Sequence, residues 1–96
     1  MYLSRYDFAG DPDVVHAALT RLLEKITADE VLLNIAVRTD SGVSLFDACP
    51  DRETFVEFSA SEEFTKMIAD VGLAAPTITP LGEILSTVVS ANAVPA

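Results

Sequence analysis

Asn34, Asp47 and Tyr6 are the side chains whose chemistry could hold and deprotonate a small ligand. Asp47 falls in phase with Val43 and Leu45 on a strand, which points it inward, and a buried carboxylate with a raised pKa can act as a general base. The ordinary alternative for Asp47 is a bond to a helix end or a neighbouring backbone group. Asn34 stands in a strongly apolar run, where its amide needs partners if it is buried. It is either a backbone-bonded or interface residue, or a donor that orients a ligand. Tyr6 shares a face with Tyr2 and Phe8, where a phenol is commonly packing with a polar handle or the hydrogen-bonding wall of a pocket. Phe58 and Phe64 recur at helical spacing with Phe55 and Met67, as core residues that would also wall any cavity under that helix.

Other reactive types are poorly placed. His16 is the sole histidine, and it lies away from the apolar stripe of its helix, facing solvent. Cys49 is the sole cysteine, so no internal disulfide can form; with Pro50 next to it, it reads as a small hydrophobe. No His, Cys and Asp spacing suggests a metal site, and no glycine-rich phosphate loop exists, because the four glycines are scattered. The sequence therefore implies neither metal nor cofactor.

The elements that must position these residues follow from periodicity. Tyr2 to Phe8 alternates as a strand, with Tyr2, Ser4, Tyr6 and Phe8 on one side. Asp11 caps a helix from Pro12 to Ile26, whose Val15, Leu19 and Leu22 belong to one stripe. Glu30 to Thr39 is a second strand with apolar residues in both registers, which implies cover on both faces. Asp40-Ser41-Gly42 turns the chain into a third strand, Val43 to Cys49. Asp51 caps a second helical region to Val71, interrupted at Ser59-Ala60-Ser61 and stopped by Gly72. Thr77 to Val89 is β-rich, but Pro80 confines it to an edge. Ala91 to Ala96 is an uncommitted tail.

This order predicts one α+β domain over residues 1–96: a ferredoxin-like βαββαβ antiparallel sheet with the helices on one face. Half the residues are hydrophobic and mean hydropathy is +0.36, high for so short a chain. The apolar second strand would leave the opposite sheet face bare. A homodimer through that open face is the expected remedy.

The net charge of −9, without any basic cluster, excludes nucleic acid and anionic lipid as natural partners. No apolar run reaches the ~20 residues of a membrane span. No signal-like leader opens the sequence, which fits a cytoplasmic protein.

The run Arg38-Thr39-Asp40-Ser41-Gly42, followed by Asp51-Arg52-Glu53-Thr54-Phe55-Val56-Glu57-Phe58, resembles the dimeric α/β-barrel superfamily. Antibiotic-biosynthesis monooxygenase-like proteins belong to that group. The resemblance implies a dimeric α/β barrel and admits cofactor-independent oxygenation of an electron-rich aromatic. The chain departs from the group's pattern in having Cys49-Pro50, where members often carry a tryptophan, and in having no tryptophan at all. Against the haem-degrading branch, the positions of a second tryptophan and the haem-ligating histidine are occupied by Phe58 and Ile68, neither of which ligates iron. Two expectations follow. One is a small apolar or aromatic ligand bound by Tyr6, Asn34, Phe58 and Phe64, with Asp47 as candidate base. The other is a non-catalytic interaction module.

Overall fold

The computed structural model describes residues 1–26 and 31–90. In chain order its elements are β1 (Tyr2–Ala9), α1 (Pro12–Leu23), β2 (Leu33–Arg38), β3 (Gly42–Cys49), α2 (Arg52–Ser59), α3 (Glu62–Asp70) and β4 (Thr77–Glu83). The strands form one antiparallel sheet in the order β2-β3-β1-β4. The fold is α+β and ferredoxin-like, as the element order predicts.

Local chemistry sets the helix starts. Asp11 accepts hydrogen bonds from the Asp13 and Val14 amides at 3.0 and 3.2 Å, with Pro12 fixing the first φ. Asp51 accepts from the Thr54 amide at 2.7 Å, opening α2. Ser61 accepts from the Phe64 amide at 3.1 Å and starts α3, so the predicted break between two helical pieces falls at Ser59–Ser61. Gly72, at φ 81°, closes α3 while the Leu73 amide reaches back to the Ile68 carbonyl.

Three boundaries differ from the sequence reading. Helix α1 stops at Leu23, because Lys25 and Ile26 donate to carbonyls only three residues back and tighten the last turn. Strand β2 begins at Leu33, later than predicted, and Glu30 lies outside the described residues. Strand β4 ends at Glu83 rather than Val89. Its template runs out: β1 begins at Tyr2, and only the Ile84 amide to the Met1 carbonyl, at 2.8 Å, continues the ladder. The predicted tail over 91–96 also lies outside the described residues.

The core lies between the sheet and the helices. Tyr6, Phe8, Val43 and Leu45 from the central strands meet Val15, Leu19 and Leu22 of α1 and Phe55, Phe64 and Ile68 of α2 and α3. The other sheet face carries Leu3, Arg5, Asp7, Leu33, Ile35, Val37, Ser44 and Phe46. Ile35 and Val37 are 50% and 41% exposed. Strand β2 is thus an edge strand with apolar side chains left open, and the double cover predicted for it is not supplied within one chain.

Candidate functional site

Antiparallel register places Ser4 of β1 opposite Asp47 of β3, and Asp47 opposite Asn34 of β2. Three polar side chains therefore share one row across an otherwise apolar layer. The side-chain period of two turns all three toward the helices, in phase with Tyr6 and Leu45 one row along. Ser4 and Asp47 are buried, whereas Asn34 is half-buried on the edge strand.

Asp47 accepts a hydrogen bond from the Asn34 side-chain amide. Burial pushes its carboxyl up to about 6, and the Asn34 bond offsets only part of that push. Asp47 thus becomes a carboxyl that exchanges a proton near neutrality, as a general base requires. Tyr6 is 1% exposed, and burial, aided by the nearby Asp47 charge, raises its phenol far above the usual value. It is a neutral phenol in the physiological range. Ser4 lies close enough to counter part of that rise, yet neither the Ser4 hydroxyl nor the Tyr6 hydroxyl completes a hydrogen bond within the protein. Two buried hydroxyls without partners each carry a desolvation cost of about 1–3 kcal/mol.

The Tyr6 ring joins this polar row to the aromatic layer. It meets Phe64 edge-on at 5.6 Å and Phe55 at 6.4 Å, and Phe64 in turn meets Phe58 at 4.7 Å. The structure thus links the sequence-predicted residues in series: Asn34 to Asp47, beside Tyr6, to Phe64, to Phe58. It does not gather them around one open cavity. Phe58 borders a groove of about 300 Å³ between α2 and α3 with Lys25, Thr54, Glu57 and Met67. Phe64 borders a separate one of about 240 Å³ with Ile68, Leu73 and Ile78.

Ser4 is the site residue the sequence reading passed over. Its signal was present, since it alternates in phase with Tyr2, Tyr6 and Phe8, but a serine within an aromatic strand carries no chemistry until Asp47 is set opposite. Cys49 is buried opposite Tyr2, one row beyond Asp47. His16 is exposed, as its helical phase predicts, and Ile68 packs into the core. Among the described residues no three His, Cys, Asp or Glu side chains gather as a metal site, and no helix is long and apolar enough to cross a membrane. Compared with protein-family models the chain matches none, and compared with curated proteins it matches none.

Proposed function

We propose that this chain is a homodimeric protein, associating through its open sheet face, that binds a small phenolic or otherwise electron-rich aromatic ligand beside Asp47 and deprotonates it. The observation that carries this reading is the row of buried Ser4 and Asp47 with half-buried Asn34, beside Tyr6, with two hydroxyls lacking partners. A ligand hydroxyl would complete those hydrogen bonds. Its proton would pass to Asp47, the Asn34 amide would go on donating to the other oxygen of the now neutral carboxyl, and Tyr6 would donate to the new phenolate. A phenolate in a dry site can react with dioxygen without a cofactor. One oxygen atom enters the ring as a second carbonyl, the other leaves as water, and the ring supplies the electrons and the two protons of that water by ending as a quinone. The buried thiol of Cys49 fits a reducing, cytoplasmic setting.

The test is oxygen uptake by the folded dimer across a panel of phenols and hydroquinones, paired with calorimetric binding. Turnover lost in Asp47→Asn, with binding retained, supports the base. Binding without oxygen uptake restricts the reading to a ligand carrier. Neither binding nor uptake overturns it.

A second reading, a non-catalytic interaction module, is favoured by the packing of the aromatic layer. Phe64 is 4% exposed, and the grooves beside it and beside Phe58 stay apart from Asn34. In that reading the polar row only fixes strand register.

A further inference from the structure

The outer surface of α2 and α3 is acidic beyond what solubility asks. The two helices carry Glu53, Glu57, Glu62, Glu63 and Asp70 against Arg52 and Lys66, five carboxylates to two cations, all exposed. Solubility needs charges of both signs interspersed, whereas here one sign dominates. Among the described residues neither Glu57 nor Glu63 enters an ion pair. Both carboxylates border the groove of about 300 Å³ between the two helices. Its apolar lining is Phe58 and Met67, each half-buried, and Lys25 borders it from just past α1.

The groove is built into the fold. The Ser61 hydroxyl donates to the Phe58 carbonyl at 2.8 Å and accepts from the Phe64 amide at 3.1 Å, which holds the joint between α2 and α3. The Phe58 ring is braced against the buried Phe64 ring at 4.7 Å. A partner therefore meets a groove already formed, and little ordering cost opposes docking. Its size and charge narrow the choice of occupant. A volume of about 300 Å³ is the lower limit for enclosing a small molecule, and this groove is open to solvent. The negative charge also extends past the groove, to Glu53, Glu62 and Asp70, where only an extended partner can meet it. Methionine beside an aromatic ring is an adaptable seat for an apolar side chain. An apolar anchor with cations around it, on one continuous element, is an amphipathic basic helix.

We propose that the groove between α2 and α3 docks a basic amphipathic helix of a partner protein. An apolar side chain of that helix seats against Phe58 and Met67, and its Lys or Arg side chains pair with Glu57 and Glu63. Lys25 sets the orientation, since the basic side of the partner turns away from it and toward α2 and α3. The inference goes beyond both readings above. The groove is separate from the polar row, so docking there is compatible with chemistry at Asp47 or with none.

The test is titration of the full, isotope-labelled chain with a synthetic helix of about four turns, leucine on one face and lysine on the other. Saturable shifts should concentrate at the amides of Thr54, Phe58, Ser61 and Met67, with a Kd of about 10 μM at physiological salt. Glu57→Gln/Glu63→Gln should weaken binding roughly 10-fold. Both residues are exposed, so the fold should be unchanged, which circular dichroism checks. A probe with its leucines replaced by alanine should weaken binding by as much, because the anchor is lost. Asp40→Asn/Glu83→Gln removes the same charge elsewhere on the surface and should bind as the wild type does. If that control weakens binding equally, the attraction is diffuse and the docking groove is overturned. Shifts centred on another face, or no saturable shift at all, overturn it too. Butylamine giving the same shifts at the same affinity would make the groove a small-amine site instead.

Discussion

The Asn34 side-chain amide donates to the Asp47 carboxylate across the β2–β3 ladder, from the position directly opposite. This one bond occupies one oxygen of a buried carboxyl whose strand is flanked on its other side by the strand of Ser4 and Tyr6. A strand shift of one residue would send Asn34 to the open face and leave Asp47 buried without its amide. Register and proton chemistry are tied together at this pair.

Stability should fall as pH rises through the Asp47 titration. Its folded pKa, about 6, is above the ordinary 3.8, so between these values the folded state holds the proton more tightly than the unfolded chain. The penalty of ionising Asp47 is thus absent below about pH 4, grows toward pH 6 and is complete above it, reaching about 2–3 kcal/mol. Urea unfolding at a series of pH values measures this slope, and Asp47→Asn should abolish it. Asp7, held low first by the Ser44 hydroxyl, and Asp51, held low by the Thr54 amide, act oppositely. Their stabilisation is present above the ordinary carboxylate range and lost at lower pH, on the acid side of the Asp47 window.

Tyr6→Phe should raise stability while weakening the proposed ligand binding. The ring contacts with Phe55 and Phe64 survive, and a buried hydroxyl without a partner is deleted. A gain of about 1–2 kcal/mol in urea unfolding is expected. Ligand binding should weaken at the same time. A loss of stability instead would mean that the Tyr6 hydroxyl is satisfied in solution, by water or otherwise.

Gly42→Ala should be among the costliest small substitutions. A Cβ there would sit 1.9 Å from the Phe8 carbonyl oxygen, a backbone atom that cannot step aside. Gly42 also closes the β2–β3 turn through its amide to Thr39 Oγ1, at 3.1 Å. Thermal and urea unfolding should show a loss of roughly 2–4 kcal/mol, in the range of overpacked sites.

Truncating the two phenylalanines should separate core from rim. Phe64→Ala leaves a hole between Tyr6 and Phe58 in the buried layer and should cost about 3–5 kcal/mol. Phe58 is only half-buried and borders an open groove, so Phe58→Ala should cost less than half as much. Equal losses would place Phe58 in the core and remove it from any ligand wall.

The sequence by itself determined the element types, their order and most of their caps. Asp11, Asp51, Ser61 and Gly72 act within one turn of their own positions, and such short-range chemistry is visible in any linear reading. It also placed Asp47 inward, because strand period alone decides which face a residue takes. What it could not contain was the row. Ser4, Asp47 and Asn34 are far apart in the chain, and only the order β2-β3-β1 with its register sets them side by side. The end of β4 was likewise beyond local pattern. Leu85 to Val89 has the composition of a strand, but a strand needs a neighbour to pair with, and β1 offers none past that end of the sheet. Propensity proposes a strand; the presence of a facing backbone decides it.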